Sequence, residues 1–262
     1  FGFDIDTQHF VGNHPAFASV EGVRAKANTP LAELLTLPWR TLLEQSPLGP
    51  GCQNLFAAEA SEAVSHVRLN IFPDGGVARF RVYGRVEPRA APSEIDELSH
   101  SHGADGLRDL AALKNGARAL ACSDARFGHM NSLLLPGRAR VMGEGWETRR
   151  SRPPNQDHDW LLIELGERGT VELIEVDTNH YKGNYPERCS LEVIDAPGAR
   201  ATDLIGSTSF RPLVAPTPLR AHTRHFLRAE LQPHAPFTHL RLNIFPDGGI
   251  SRLRLWGRPT AP

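Results

Sequence analysis

Cysteine is scarce in this sequence, and the few cysteines form no recognisable pattern. The three residues, Cys52, Cys122 and Cys189, lie far apart, and no Cys-x-x-Cys pair occurs. A small, odd number of scattered cysteines argues against a disulfide framework or a thiolate zinc site and favours a reducing, cytoplasmic setting. A chain of 262 residues can bury a sizeable core without such cross-links.

Excess charge of one sign and long apolar runs are also missing. The 29 Lys and Arg residues balance 30 Asp and Glu residues, which argues against a nucleic-acid binder or a membrane-surface patch. No stretch approaches the roughly 18 consecutive apolar residues of a membrane span. Nucleotide-binding and serine-hydrolase signatures, such as Gly-x-Gly-x-x-Gly and Gly-x-Ser-x-Gly, do not occur. The sequence therefore predicts a soluble globular protein outside those classes.

The sequence contains two copies of the same pattern. The segment 66–76, His-Val-Arg-Leu-Asn-Ile-Phe-Pro-Asp-Gly-Gly, returns at 239–249 with one Val-to-Leu change. The block Asp-Thr-x-His-x-x-Gly-Asn-x-Pro occurs at 6–15 and again at 177–186. Several ordered blocks at nearly constant spacing predict two copies of one domain, rather than two unrelated domains that share a turn.

The repeat also sets the expected domain boundaries. We predict a first repeat at 1–86, a linker with a short helix at 87–118, and a second repeat at 119–262. The sequence starts with Phe1 rather than Met, shows no signal-peptide pattern, and begins within the repeated pattern. We therefore expect the first repeat to lack about fifty residues at its N-terminus, with an exposed strand edge or apolar face where they would pack.

Alternation of apolar and polar residues predicts β-strands at 66–72, 160–165, 172–176 and 190–194. Short strands separated by Gly, Pro and Asn are typical of an all-β sandwich. The Phe-Pro-Asp-Gly-Gly turns predict hairpins. We expect helix only in the connector, at 104–116, where Leu recurs every three residues before Asn-Gly.

The Asp-Thr-x-His-x-x-Gly-Asn block is one candidate site. Asp177, His180 and Asn184 would gather in a loop after a strand, where Asp can orient an imidazole for acid or base chemistry and Asn offers amide groups. The alternative is structural: Asp caps the turn, His binds a buried carbonyl, and Gly-Asn makes the bend.

Two further groups of side chains are candidates for binding a carboxylate. Glu147, Arg149, Arg150 and Arg152 lie close together and could capture a small anion, or could form a solvated basic strand beside Trp146. Arg241 and Asn243 offer the same donor types, or could form a cross-strand polar ladder. Metal binding is weakly signalled, because the following histidines lack metal-site spacing and are expected to face solvent: His100, His102, His222, His225, His234 and His239.

Together these motifs closely resemble the allantoicase (allantoate amidinohydrolase) family. The resemblance rests on both pairs of repeated blocks, on Ser-Asp-x-x-Phe-Gly at 123–128, and on Gly-Trp-Glu-Thr-Arg-Arg at 145–150 followed by Asp-Trp at 159–160. It covers nearly the whole chain in the right order. It implies two jelly-roll β-sandwich repeats, a homo-oligomer, and hydrolysis of allantoate to ureidoglycolate and urea in purine degradation, without an assigned metal or cofactor.

The implied substrate carries one carboxylate and two ureido groups. Under this resemblance His180 would protonate departing urea, and Glu147 or Asp177 would be the base for water. Arginines would bind the carboxylate and amides the ureido groups, through Arg149, Arg150, Arg241, Asn184 and Asn243. The counterparts in the first repeat are Asp6, His9, Asn13, Arg68 and Asn70. The competing hypothesis is a non-catalytic jelly-roll tandem that binds a sugar, a small polar ligand or a protein.

Overall fold

The repeat in the sequence is a repeat in the fold. The computed structural model describes residues 1–26, 28–58, 62–87, 96–150 and 157–260. The chain divides into two compact units, Phe1–Arg85 and Val86–Pro262. The strands are β1 (Gly2–Asp6), β2 (Phe17–Val23), β3 (Arg40–Pro47), β4 (Gln53–Ala57), β5 (His66–Phe72), β6 (Arg79–Tyr83), β7 (Arg108–Asp109), β8 (Arg118–Cys122), β9 (Trp146–Glu147), β10 (Asp159–Asp177), β11 (Arg188–Ile194), β12 (Arg211–Pro218), β13 (Arg224–Leu227), β14 (Phe237–Phe245), β15 (Gly249–Ile250) and β16 (Arg252–Pro259). The helices are short: α1 (Leu31–Leu34), α2 (Glu97–Ser101) and α3 (Ala201–Leu204), with 3-10 turns at Leu113–Asn115, Met130–Leu134 and Met142–Glu144.

The first unit is a sandwich of two antiparallel sheets, ordered β3-β2-β5 and β4-β1-β6. Apolar side chains from both sheets meet in one core, including Ile5 of β1, Val20 of β2 and Leu69 of β5. In this unit β5 pairs only with β2 among the described strands and so lies at a sheet edge.

The second unit repeats this arrangement and extends it through one long strand. The first half of β10 pairs with β14 and β8, and its second half pairs with β16 and β13. The register shifts between Glu164 and Gly169, so the strand passes from one layer of the sandwich to the other at this irregularity. The core between the layers combines Leu161, Leu242 and Leu191 from one side with Ile174 and Leu253 from the other. The fold is therefore all-β, a tandem of two jelly-roll sandwiches.

The predicted strands are present, but the predicted hairpins are wrong. β5 pairs with β2 while β6 pairs with β1, so the Phe-Pro-Asp-Gly-Gly connection crosses from one sheet to the other. The connection between β14 and β16 crosses in the same way. Period-two alternation predicts which face of each strand is apolar, but it does not predict which strand pairs with which. A hairpin within one sheet and a connection between two sheets therefore give the same alternation.

The helix predicted at 104–116 is also wrong. This segment contains β7 and a 3-10 turn, and helix occurs instead at α1, α2 and α3. Leu107 and Leu110 are buried as an amphipathic pattern requires, but the Leu110 amide donates to the carbonyl of Leu255 on β16. Pairing with a sheet edge therefore replaced the local helical bonds. In the part of the chain that the structure describes, no helix is long and apolar enough to cross a membrane.

Candidate functional site

The Asp-Thr-x-His block makes the same loop in both units. In the second unit the Thr178 hydroxyl donates to the carbonyl of Arg220 at 2.6 Å, and Asp177 Oδ1 accepts the amide of Asn179 at 2.9 Å. His180 has a φ of 72°, in the left-handed region, and its counterpart His9 has a φ of 74°. Side-chain bonds to backbone therefore fix the bend that follows β10.

The Gly-Gly connection packs directly on this loop. The Gly249 amide donates to the carbonyl of Asn184 at 2.8 Å, and Gly248 has a φ of 135°. A Cβ added at Gly249 would lie less than 3.0 Å from the ring of Tyr181, which is fully buried. Glycine is required at position 249 because the ring of Tyr181 occupies the space that a side chain would need. The close approach allows the hydrogen bond from the Gly249 amide, which holds the backbone of Asn184 in place.

Glu147 and Asn184 meet at this end of the sandwich. The Asn184 Nδ2 group donates to Glu147 Oε1 in a short contact. Glu147 lies on β9, which pairs with β15, and Glu147 stands opposite Gly249 in that pairing. The Tyr181 hydroxyl donates to the carbonyl of Met142 at 2.9 Å, and burial, with a contribution from the Glu147 charge, raises its pKa. Three separate chain segments thus place a carboxylate beside an amide.

Asp177 lies in the same loop but is enclosed. Its side chain is fully buried and forms an ion pair with Arg138 Nε at 3.1 Å. Oδ1 also accepts from Arg138 Nη2 at 3.4 Å. Because both carboxylate oxygens have partners, Asp177 is placed to anchor the loop.

His180 lies at the rim of the loop. Its Nε2 atom lies 3.0 Å from the carbonyl of Ala139, so this nitrogen carries a proton and donates. The His180 amide donates to His222 Nδ1 at 2.9 Å, and the two rings meet edge to face. Nδ1 of His180 is then the nitrogen through which the ring can exchange a proton with a ligand.

Arg149 shares the solvent side of the chain with Glu147, because alternate residues of an extended segment point the same way and Trp146 and Thr148 are buried. Asp124 holds it: Arg149 Nε lies 2.9 Å from Asp124 Oδ2, and the Arg149 amide donates to Oδ1 at 2.8 Å. The Arg149 side chain is 69% exposed.

Although burial of Asp124 opposes ionisation, hydrogen bonds to its carboxylate hold its pKa below the ordinary value. The guanidinium of Arg149 is therefore held by a negatively charged carboxylate. Arg150 is exposed next to it, and Arg152 lies outside the described residues.

Arg241 and Asn243 occupy the outer face of the other sheet. Asn243 Nδ2 donates to Ser190 Oγ at 3.2 Å and to Glu192 Oε2 at 3.1 Å. Arg241 donates to the carbonyl of Leu204 at 2.9 Å and lies over the ring of Phe210. None of these contacts involves the Glu147 and Asn184 cluster.

The first unit contains the same ladder. Arg68 Nε donates to Glu21 Oε2 at 2.9 Å, Asn70 Nδ2 donates to the same oxygen at 2.7 Å, and the Arg68 guanidinium lies over Trp39. Of the other first-repeat candidates, Asp6 is buried and accepts the amide of Gln8 at 2.8 Å, and Asn13 is exposed. The Arg and Asn side chains of the ladder thus occupy matching positions on β5 in the first unit and on β14 in the second.

The expectation that the histidines face solvent is wrong for two of them. His225 and His239 are buried, and burial lowers the pKa of each ring. His225 Nε2 accepts the amide of Arg220 at 2.9 Å, a structural bond within the loop. Among the described residues, no group of three or more His, Cys, Asp or Glu side chains is placed to hold a metal ion.

The comparisons with known proteins agree with this architecture. The family model described as allantoicase repeat matches residues 1–87 and 108–260. The chain belongs to the allantoicase family. It is 42% identical over 256 residues to a probable allantoicase of Acinetobacter baumannii, which covers 97% of this chain and 71% of the relative. It is 43% identical over 263 residues to a probable allantoicase of Pseudomonas aeruginosa, covering 100% and 75%.

A solved structure of the family is similar throughout. The crystal structure of allantoicase from Saccharomyces cerevisiae matches with a TM-score of 0.77 and 34% sequence identity, covering 98% of this chain and 72% of that one. The resemblance inferred from the motifs is therefore confirmed, and so is the tandem fold.

Sequence reasoning missed several residues of the allantoicase loop cluster. Arg138, the partner of Asp177, lies outside the sequence blocks that occur twice, so the repeat did not single it out. Tyr181 corresponds to Phe10, and the aromatic character shared at this position was the available signal. Asp124 was part of the motif that carried the family resemblance, but its contact with Arg149 depends on the fold.

Proposed function

We propose that this chain hydrolyses allantoate to ureidoglycolate and urea, and that the substrate binds at the Glu147 and Asn184 cluster of the second unit. Family membership supports the reaction. One observation supports the location: the Glu147 carboxylate is held beside the Asn184 amide, with the exposed Arg149 on the same side of the chain. These groups match a substrate that carries ureido groups and a carboxylate.

The reaction replaces one ureido group of allantoate by a hydroxyl group. The oxygen of water forms a bond to the central carbon, and the bond from that carbon to the ureido nitrogen breaks. Water must lose a proton, and the departing nitrogen must gain one. A carboxylate and an imidazole can perform these two transfers.

Glu147 is our candidate for the base. It is partly exposed and accepts from one amide donor, whereas Asp177 is buried and bound to Arg138. Both oxygens of the Asp177 carboxylate accept hydrogen bonds from Arg138, so neither is open to a water molecule. We therefore assign Asp177 to positioning the loop.

His180 is our candidate for the acid. Its Nε2–H group donates to Ala139, so the protonated ring would give up the proton of Nδ1 to departing urea. Arg149 and Arg150 would bind the substrate carboxylate, and Asn184 a ureido group. We infer that Asn243, Arg68 and Asn70 hold neighbouring strands together, because they donate to Glu192 or Glu21 on the adjacent strand. Arg241 instead ties α3 to the sheet through the carbonyl of Leu204.

Substitution of Glu147 by Gln tests the assignment. The amide keeps the size of the side chain and cannot accept a proton from water, so urea release should fall by about 10²- to 10⁴-fold while the melting temperature stays close to the parent value. Glu187→Gln is the matched control, since Glu187 is exposed in the same unit. Full urea release by Glu147→Gln would move the base elsewhere.

The parent chain is itself the test of the reaction. Failure of a folded chain to release urea from allantoate would favour the non-catalytic binding hypothesis. Assembly into a homo-oligomer, which the family resemblance implies, and a cytoplasmic location, which the scarcity of cysteine favours, remain predictions, and light scattering would measure the first.

A further inference from the structure

His222 lies beside the proposed acid, His180, in the loop between β12 and β13. Its Nδ1 atom accepts the backbone amide of His180 at 2.9 Å, and the centroids of the two rings lie 5.8 Å apart. The amide of His222 donates in turn to the carbonyl of Tyr181 at 3.1 Å. His222 is therefore bonded to two successive residues of the loop that carries the proposed acid.

The first unit makes the same turn with a glycine at this position. The Thr7 hydroxyl donates to the carbonyl of the residue after Gly51, and the Thr178 hydroxyl donates to that of the residue after His222, each at 3.0 Å. Gly51 and His222 are therefore equivalent. Their φ angles are 63° and 49°, both in the left-handed region, which glycine adopts freely and a residue with a side chain adopts at a cost. The second unit thus holds a strained histidine where a glycine suffices for the turn.

The bend at the proposed acid does not depend on the His222 imidazole. His9 has a φ of 74° and His180 a φ of 72°, although Gly51 has no side chain that could accept the amide of His9. The bond from the His180 amide to His222 is therefore an addition to a loop that bends without it. Strained residues cluster at functional sites, where the side chain has a use that offsets the strain. The use of His222 lies in what its ring does for His180.

The hydrogen bond also separates the roles of the two rings. Because Nδ1 of His222 accepts an amide, it carries no proton, and the proton of the neutral ring is on Nε2. The N–H group of a neutral imidazole is too weak an acid to protonate departing urea, and a proton added at Nδ1 would break the bond to His180. His180 itself bonds through Nε2 and keeps Nδ1 for the ligand. His222 is therefore suited to positioning, and His180 to proton transfer.

We propose that His222 is a positioning residue for the proposed reaction: its ring holds the backbone of His180, so that the His180 imidazole meets the departing ureido nitrogen in one orientation. This inference rests on the proposed function, because it assigns His222 to the acid of that reaction. A shift of about 1 Å in a catalytic group can lower the rate by about 10²-fold, so one hydrogen bond to its backbone matters. Gly51 offers no such bond in the first unit.

Two substitutions in the full chain test the proposal by steady-state kinetics of urea release. His222→Gly supplies the residue of the first unit, relieves the strained φ and removes the acceptor. We expect kcat to fall by about 10- to 100-fold with KM within about twofold of the parent, because an acid acts in the transition state. The melting temperature should stay within about 3 °C of the parent value. His222→Asn should restore most of kcat, because asparagine tolerates the left-handed region and carries an acceptor oxygen on the same carbon as Nδ1 of histidine.

His234→Gly is the matched control. Nε2 of His234 accepts the backbone amide of Val171 at 3.1 Å, so this change removes the same kind of bond from another part of the second unit. It should leave kcat at the parent value. If His222→Gly does not fold, His222→Ala replaces it, since alanine keeps the Cβ at this position and lacks the ring, and the same fall in kcat is expected.

Hydrogen exchange of the His180 amide, followed by NMR, tests the contact without the reaction. We expect exchange at least about tenfold faster in His222→Gly than in the parent and in His222→Asn. Three results would overturn the proposal: equal exchange in the parent and His222→Gly, parent kcat in His222→Gly, or equal kcat in His222→Gly and His222→Asn. A parent chain that releases no urea rejects the proposed function, and exchange of the His180 amide then still decides whether His222 holds the loop.

Discussion

Substitution of Gly249 by Ala should destabilise the second unit and disturb the proposed catalytic cluster together. The new methyl group would lie less than 3.0 Å from the ring of Tyr181. That ring is fully buried, and its hydroxyl donates to the carbonyl of Met142. The ring therefore has no open space to move into, and any shift that relieves the clash strains or breaks the hydrogen bond.

The magnitude follows from these two effects. Overpacking in a buried site costs about 1–3 kcal/mol, and loss of the tyrosine hydrogen bond adds about 1 kcal/mol. We therefore expect the free energy of unfolding to fall by about 2–4 kcal/mol, a decrease in melting temperature of about 5–15 °C for a unit of this size. Asn184 lies three residues after Tyr181 and bonds to Gly249, so urea release should also fall at temperatures where the variant is folded.

Two other glycines provide the controls. Gly183 lies in the same loop with nothing within 4 Å of an added Cβ, so Gly183→Ala should stay within about 0.5 kcal/mol of the parent. Gly76 is the first-unit counterpart of Gly249 and faces the ring of Phe10, which is partly exposed and has no hydroxyl. Gly76→Ala should therefore cost less than Gly249→Ala. Chemical denaturation that gives equal stabilities for Gly249→Ala and Gly183→Ala would refute the packing argument.

Further predictions concern the catalytic side chains and the thiols. Arg149→Lys keeps the charge but loses the guanidinium fork, so steady-state kinetics should show substrate binding weakened by ~1–3 kcal/mol, and unchanged kinetics would assign Arg149 to structure alone. Asparagine tolerates the left-handed backbone at position 180, so His180→Asn should lower urea release by ~10²- to 10⁴-fold at a nearly constant melting temperature. If His180 is only structural, the variant protein should be less stable and should keep its turnover. His9→Asn should leave turnover unchanged if only the second unit is catalytic, and an equal loss would indicate that both units contribute. Burial raises the pKa of the Cys189 thiol to about 12, so a thiol reagent at pH 8 should label exposed Cys52 in the native chain and Cys189 only after denaturation.

Most of the strand content, the tandem repeat and the family could be predicted from the sequence. The alternation of apolar and polar residues at 66–72 depends only on which side of one strand is buried. It correctly predicted a strand, which is β5 in the first unit and β14 at the second copy of the same segment. The second copy of each block made the domain duplication visible without knowledge of any contact. Glu147, His180 and Asn184 were selected by residue type and spacing, and their roles remain predictions.

The tertiary structure decided how these pieces meet. The Phe-Pro-Asp-Gly-Gly connection crosses between sheets because each flanking strand pairs with β1 or β2, or with their counterparts β10 and β11, and such partners are distant in sequence. The contact between Glu147 and Asn184, and the ion pair that encloses Asp177, likewise join segments that no local pattern connects. Apolar periodicity reports the environment of one strand, whereas the partner of a carboxylate depends on how distant strands pack against one another, which only the folded chain determines.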